Sequence, residues 1–273
     1  MSDMSSDEQM LTFGGHLDVL RKMLTRVLAV TLMFACIVFA FKDVTFSILL
    51  APGKWDFCTY RWLEKVIGIF DTGFRFEEFH VDLIATDLSS QFMTHITTSI
   101  YLGLLFSSPF IVYELFRFIS PALLENERKY SVRIVGIVYM LFIAGLMMSY
   151  FILFPISFRF LGTYSVAESV HSTITLDSYI STFVTLALMM GLVFQLPVIA
   201  FVLGKMGLVQ SSYLSKYRRH AILIICIVAA IITPPDIMTL ILVAVPLYMM
   251  YEISLRIIRS VERKKEILQE HNA

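Results

Sequence analysis

Six apolar segments divide this chain, and they restrict its fold more than any other feature of the sequence. A helix needs roughly 20 mainly apolar residues to cross about 30 Å of hydrocarbon. Charged residues make up 16% of the chain, against about 25% in an average soluble domain. We therefore predict an all-α integral membrane protein with six transmembrane helices, at about 23–41, 95–119, 134–155, 179–203, 220–233 and 237–255.

The fifth segment is short for a membrane span. Its 14 residues give a helix of about 21 Å, less than the hydrocarbon thickness. We expect it to be buried among other helices or to lie where the bilayer is thinned. A re-entrant hairpin formed by the fifth and sixth segments is the alternative.

The distribution of basic residues predicts the orientation of the spans. If the two termini and the loops after spans two and four lie on one side, that side holds 16 of the 22 Lys and Arg residues. Basic residues favour the cytoplasmic side. We expect a cytoplasmic N-terminal segment (1–22), a membrane domain (23–255) and a charged cytoplasmic tail (256–273), with both termini inside.

The long outside loop, 42–94, is rich in aromatic residues, among them Trp55, Phe57, Tyr60 and Trp62. Aromatic side chains concentrate at membrane interfaces. We predict an ordered cap that packs on the bilayer surface or over the helix ends. Within it, EEFHVDLIAT is typical of a strand or a short amphipathic piece.

No motif in the chain indicates catalysis. The sequence holds no GxSxG, HExxH, Walker loop or GxGxxG after a strand, and its six histidines are dispersed. No two of the three cysteines have the spacing of a metal site or a CxxC motif. We expect no enzymatic activity, cofactor or metal. The formal net charge of zero gives no indication of a nucleic-acid partner.

Polar residues inside predicted spans are the candidates for function, because they are costly in lipid. Gln195 stands in the fourth span, and Glu114 lies near the cytoplasmic end of the second. The structural alternative for Glu114 is an ion pair with Arg117 one turn later, and Glu252 has the same alternative with Arg256.

Prolines recur at patterned positions in the spans. Pro109, Pro197 and Pro246 each remove one backbone hydrogen bond and are expected to bend their helices. Three bent helices can build a concave wall. Pro234 and Pro235 form the turn before the sixth span, where Asp236 is placed to cap the helix.

These residues together resemble the TatC family, the multi-spanning receptor component of the twin-arginine translocase. The resemblance extends from about residue 16 to 256. It is carried by HLDVLRKML, SSPFIVYELFRFISPALLENERKY, FPISFRFL, SYISTFVTLALMMGLVFQLPVIAFVLGKMGLV and ITPPDIMTLILVAVPLYMMYEISL. The NER of Asn126–Arg128 after the SPAL turn at Pro121, and the TPPD turn between two short spans, are specific features.

The resemblance implies a fold, a function and partners. The fold would be a glove-shaped bundle of six bent helices with both termini in the cytoplasm. The function would be to bind signal peptides that carry two consecutive arginines, on the cytoplasmic face of the cell (inner) membrane. The partners would be single-span TatA/TatB-type proteins and further copies of the chain, which export folded proteins with the proton-motive force.

The resemblance also implies which residues bind the signal peptide. Glu127 matches the family's signal-binding glutamate, beside Arg128. The family's N-terminal glutamate corresponds to Val19 here, and the acid stands one residue earlier, at Asp18, close to Arg21. Asp18 or Glu125 would supply the second carboxylate. Each guanidinium group pairs with a carboxylate through two N–H groups in a defined geometry, which the single ammonium group of lysine cannot reproduce.

Two intramembrane residues are exchanged relative to the family's common pattern. The position of Gln195 is commonly glutamate and that of Glu114 commonly glutamine. We hypothesise that one carboxyl and one amide hydrate a cavity together and offer a docking point to a partner's span; independent drift is the alternative. Two rival functions stay open on the residues alone: a small-solute transporter or channel, and a purely structural scaffold.

Overall fold

The computed structural model describes residues 13–69, 78–119, 131–165, 167 and 173–272. Its helices are α1 (Phe13–Ala40), α2 (Lys42–Leu50), α3 (Cys58–Ile67), α4 (Ser90–Ile119), α5 (Ser131–Met148), α6 (Phe154–Thr163), α7 (Leu176–Val193), α8 (Leu196–Met206), α9 (Ser211–Lys216), α10 (Arg218–Ile232) and α11 (Ile237–Asn272). A 3₁₀ turn, Ala51–Gly53, follows α2, and a π-helical turn, Ser149–Leu153, joins α5 to α6. The strands are β1 (Leu83–Ile84) and β2 (Ile174–Thr175).

Within the described ranges, five helical stretches are long and apolar enough to cross a membrane. They are Leu17–Ala40, Ser90–Glu114, Val135–Thr163, Leu176–Met206 and Ile237–Lys264. The chain is therefore a multi-pass helical membrane protein, as the sequence predicts. Helix α10, which covers the predicted fifth span, has only 15 residues and is shorter than these five.

The chain divides into two compact units. The first combines Met1–Ala40 with Thr97–Tyr139, and the second combines Phe41–Ile96 with Met140–Ala273. In the first unit α1 packs against α4 so closely that a Cβ on Gly103 would lie 2.7 Å from the Ala35 backbone nitrogen. The hydroxyl groups of Thr31 and Ser107 share a hydrogen bond of 2.9 Å in the same seam. Small residues thus allow two apolar helices to approach and bond.

In the second unit, glycines also allow α5 and α7 to pack closely. A Cβ on Gly145 would lie 2.5 Å from the carbonyl oxygen of Met190. Phe142 fills the space beside Gly191. These contacts fix α5 against the buried face of α7, where Leu186 and Met190 are fully buried.

The third predicted span does not end at Pro155. The helix continues through α6 to Thr163, because Pro155 stands in the first turn of α6, directly after the π-helical turn. Proline cannot donate to the carbonyl four residues earlier, which is that of Phe151. The hydroxyl of Thr59, from α3, donates to the Phe151 carbonyl instead.

The fourth predicted span is two helices. Helix α7 ends at Val193, the chain turns at Phe194 and Gln195, and α8 begins at Leu196 with Pro197 in its first turn. Proline is well placed there because the first helical N–H groups have no partner inside the helix. Helix α8 ends at Gly207, which has φ 76° and closes the helix in the left-handed conformation.

Pro109 and Pro246 each lie inside a continuous helix, α4 and α11 respectively. Asp236 precedes α11 and accepts a hydrogen bond of 2.7 Å from the backbone N–H of Thr239, the capping contact that its position leads us to expect. The tail after residue 255 continues α11 to Asn272.

The described part of the loop 42–94, residues 42–69 and 78–94, contains regular structure. It holds α2, the 3₁₀ turn, α3 and β1, and β1 pairs in parallel with β2. Buried tyrosines attach it to the spans: the Tyr60 hydroxyl donates to Pro155 O at 2.8 Å, and that of Tyr179 donates to Leu49 O at 2.9 Å. Burial raises the pKa of the Tyr60 phenol, although the nearby Arg159 cation acts to lower it.

Candidate functional site

The first turns of α1 carry one polar face. Its members stand at positions i, i+3, i+4, i+7 and i+8, which is the spacing of a single helical face. They line an open surface groove of about 480 Å³: Asp18, Arg21, Lys22, Thr25 and Arg26. Asp18 and Arg21, both expected in the signal-peptide site, are thus brought together. Asp18, the acid that stands one residue before the family's glutamate position, lies on the same side of α1 as Arg21, whereas Val19 does not line the groove.

Glu114 forms an ion pair across the first unit. Nη1 of Arg26 donates to both carboxylate oxygens, at 2.9 and 3.1 Å. The Glu114 side chain is 6% exposed, whereas that of Arg26 is 47% exposed. The close α1–α4 packing thus gives Glu114 a partner on α1, which the sequence did not indicate; the side chain of Arg117, its expected partner, lies outside the described residues, so that pair stays a prediction.

The ion pair neutralises one cation of the α1 face. With Arg26 paired to Glu114, the other exposed charges among the described residues of this face are Asp18, Arg21 and Lys22. Asp18 can accept from a guanidinium group. Pro121, Glu125, Glu127 and Arg128 lie outside the described residues, so the remaining members of the expected site stay predictions.

Gln195 is half-buried at the break between α7 and α8. Its Nε2 donates to the carbonyl oxygen of Gly191 in the last turn of α7, and the donor–acceptor distance of 3.4 Å is long. Gln195 belongs to the second unit and Glu114 to the first. The expected pairing of the carboxyl with the amide stays a prediction.

A second polar cluster joins α10 to α11 and was missed from the sequence. Arg218 Nη2 donates to Glu252 Oε2 at 3.0 Å, and Tyr248 Oη donates to Glu252 Oε1 at 3.0 Å. The expected Glu252–Arg256 pair is therefore corrected: Arg256 is exposed, and Arg218 from the neighbouring helix takes its place. The i,i+4 spacing of Tyr248 and Glu252 is the sequence feature that could have predicted their hydrogen bond.

The polar contacts of α11 continue toward the tail. Glu262 Oε1 accepts from the backbone N–H of Ser211 at 2.8 Å, at the start of α9, and Tyr251 Oη donates to Leu214 O at 2.7 Å. These bonds hold the short helix α9 on α11. No sequence signal indicated them, because the partners are 51 and 37 residues apart.

Comparison with known proteins identifies the family to which this architecture belongs. The family model described as "Sec-independent protein translocase protein (TatC)" matches residues 15–246. The Sec-independent protein translocase protein TatC of Blattabacterium sp. subsp. Periplaneta americana (strain BPLAN) is 35% identical over 266 residues, which cover 96% of this chain and 100% of that protein. The TatC protein of Desulforapulum autotrophicum is 32% identical, over 99% of this chain and 92% of that protein.

A solved structure has the same fold. The chain described as "Crystal Structure of Twin Arginine Translocase Receptor- TatC" aligns with a TM-score of 0.72 and 29% identity, over 90% of this chain and 99% of the solved chain. The matches cover both compact units. Such agreement favours a translocase component over the small-solute transporter. The protein belongs to the TatC family, and is a multi-pass membrane component of the Sec-independent protein translocase.

Proposed function

We propose that this chain is the receptor subunit of the translocase and binds signal peptides with two consecutive arginines at its cytoplasmic face. The proposal is supported by the 29% identity to a structure described as a twin-arginine translocase receptor. The observation that carries it is the polar face of α1, where Asp18 and Arg21 line one open surface groove.

The proposed site combines that face with the loop after α4. Asp18 would supply one carboxylate, and Glu127, with Glu125 and Arg128 nearby in sequence, would supply the other. A carboxylate accepts two parallel N–H groups from arginine, whereas lysine offers one compact charge. The Arg26–Glu114 pair ties α1 to α4 two turns from Asp18, and so supports the geometry of the site.

The proposed topology has six spans in the cell (inner) membrane, with both termini in the cytoplasm. Helix α10 is the short fifth span, and it is held to α11 by the Arg218–Glu252 pair. Single-span TatA/TatB-type proteins and further copies of the chain would assemble with it to export folded proteins, driven by the proton-motive force. In this assembly the chain acts as receptor and scaffold, with no catalysis.

Binding of a signal peptide tests the proposal. The detergent-solubilised chain is titrated with a fluorescent signal peptide containing Arg-Arg and with its Lys-Lys twin. Removal of one bidentate charged contact costs about 1.5–3 kcal/mol, or roughly 10- to 100-fold in affinity. We expect losses of this order for Lys-Lys on the wild type and for Arg-Arg on Glu127→Ala.

Asp177→Ala is the matched control, because Asp177 is an exposed carboxylate in the first turn of α7, on the outer side in the proposed topology. It should bind Arg-Arg like the wild type. Equal binding of both peptides by every variant would mean that the contact is merely hydrophobic, and the receptor proposal would be wrong.

A further inference from the structure

Side-chain contacts that involve residues near its start join helix α3 to the spans of the second unit. Thr59 donates to Phe151 O, Tyr60 donates to Pro155 O at 2.8 Å, and Phe57, just before the helix, stacks on the Phe151 ring at 5.9 Å. Tyr60 is 2% exposed. At 100° per residue, Trp62 and Lys65 lie about 160° and 140° around the helix from Tyr60. The attachment therefore fixes which side of α3 points outward.

The outward side of α3 and the turns that flank this helix expose indole rings and basic groups. Trp62 is 60% exposed, Trp55 is 45% exposed, and Ile69, just past α3, is 78% exposed. Lys54, Arg61 and Lys65 are exposed beside them, with Asp56 as the exposed acid. Exposed tryptophan with lysine and arginine is the composition of a membrane interface, where indoles lie at headgroup level and cations meet phosphates.

The position of α3 along the spans gives the same depth. The apolar stretch Val135–Thr163 has 29 residues, which is about 43 Å of helix and exceeds a hydrocarbon core of about 30 Å. Pro155 lies eight residues before this stretch ends at Thr163, which is about 12 Å of helix. Tyr60 donates to Pro155 O, so α3 is attached near one end of the span.

We propose that the outward face of α3 is a lipid-binding surface. In this arrangement Trp55, Trp62 and Ile69 insert among the headgroups of the leaflet on the side where α1 ends. Arg61 and Lys65 donate to phospholipid phosphates, and they bind more strongly when the leaflet contains acidic lipids. The inference is independent of signal-peptide binding, because α3 and its contacts belong to the second unit alone.

Intrinsic fluorescence is a direct test, since Trp55 and Trp62 are the two tryptophans of the chain. The full chain is reconstituted in phosphatidylcholine–phosphatidylglycerol vesicles that contain lipids brominated near the headgroup or near the chain end. Shallow bromines should reduce the emission at least twofold and deep bromines much less. Iodide on both sides of the bilayer should quench several-fold less than it quenches free N-acetyltryptophanamide.

Two variants separate the aromatic from the basic contribution. Trp55→Phe, which leaves Trp62 alone, should keep the shallow quenching. Arg61→Gln/Lys65→Gln should weaken it in acidic vesicles, whereas Lys216→Gln/Arg219→Gln, a matched loss of two exposed cations beyond α3, should not. Full iodide quenching without bromine quenching would overturn the proposal, because the face would then lie in water. Quenching by neither reagent would also overturn it, because the face would then be covered by protein. Equal shallow quenching in the Arg61→Gln/Lys65→Gln variant would overturn the role of the cations.

Discussion

At the scale of single residues, the Arg26–Glu114 pair shows how unequal burial divides the cost of an ion pair. Glu114 is buried in α4, whereas half of the Arg26 side chain meets the surroundings. A buried charge that loses its partner is strongly destabilising, whereas an exposed one is solvated at little cost. The two halves of this pair are therefore not equivalent.

We expect Arg26→Gln to destabilise the protein more than Glu114→Gln does. Arg26→Gln removes two charged hydrogen bonds from a buried carboxylate, with a cost on the order of 1.5–3 kcal/mol, whereas Glu114→Gln leaves an oxygen acceptor for a half-exposed arginine, with a cost of about 1 kcal/mol or less. The measurement is the thermal unfolding midpoint in detergent, with Glu252→Gln as a second broken ion pair for comparison. The double variant Arg26→Gln/Glu114→Gln should be more stable than Arg26→Gln, and equal midpoints for the two single variants would contradict this account.

The hydroxyl of Thr59 replaces a backbone donor that Pro155 lacks. Thr59→Val keeps the size of the side chain but leaves the Phe151 carbonyl without this bond, a loss of roughly 1–3 kcal/mol. We expect a lower thermal midpoint and faster proteolysis between α3 and β1. Thr163→Val is the control, because Thr163 is exposed and its hydroxyl bonds to Arg159 O within its own helix; a comparable loss there would refute the special role of Thr59.

At the scale of elements, close helix contacts depend on a few small residues. Helices α1 and α4 meet at Gly103, and α5 and α7 meet at Gly145. A membrane offers no hydrophobic force between helices, so their association depends on packing and on bonds such as Thr31–Ser107. A single added methyl group at such a contact displaces backbone rather than a flexible side chain.

We expect replacement by alanine to have opposite effects on stability at two glycines of α5. Gly145→Ala places a methyl group 2.5 Å from Met190 O, whereas Gly136 has nothing within 4 Å of an added Cβ. Alanine favours helix by about 1 kcal/mol over glycine. We expect Gly136→Ala to hold or raise the thermal midpoint and Gly145→Ala to lower it; a midpoint raised by both would mean that α5 and α7 are further apart.

At the scale of the whole molecule, the proposed function requires one particular orientation of the spans in the membrane. Loop residues before α4 and the tail of α11 fall on opposite sides in the proposed topology. Thr86 and Lys264 are exposed reporters of these two regions.

Thiol labelling of intact cells tests that orientation. In a chain whose three cysteines are replaced by serine, Thr86→Cys should react with a membrane-impermeant maleimide added outside. Lys264→Cys should react only after the cells are permeabilised. The reverse pattern, or labelling of both positions from outside, would mean that the C-terminus is not cytoplasmic.

Much of the fold follows from apolar periodicity and length, and the exceptions have local causes. The membrane helices, the cap by Asp236 and regular structure in the loop 42–94 can be predicted from the sequence. The continuation past Pro155 is not, because it needs a π-helical turn and the Thr59 hydroxyl from 92 residues away. The break at Gln195 and the partners of Glu114 and Glu252 are equally invisible locally, since each depends on which helices become neighbours.

The sequence by itself determined the class of protein, the helical stretches and the family, because hydrophobic length and short motifs are properties of contiguous residues. The tertiary structure alone decided that Arg26 neutralises Glu114, that Arg218 neutralises Glu252, and that α3 turns Trp62 outward. The physical reason is that charge pairing and close packing act between residues 34 to 95 positions apart, and no local pattern states which distant side chain will arrive.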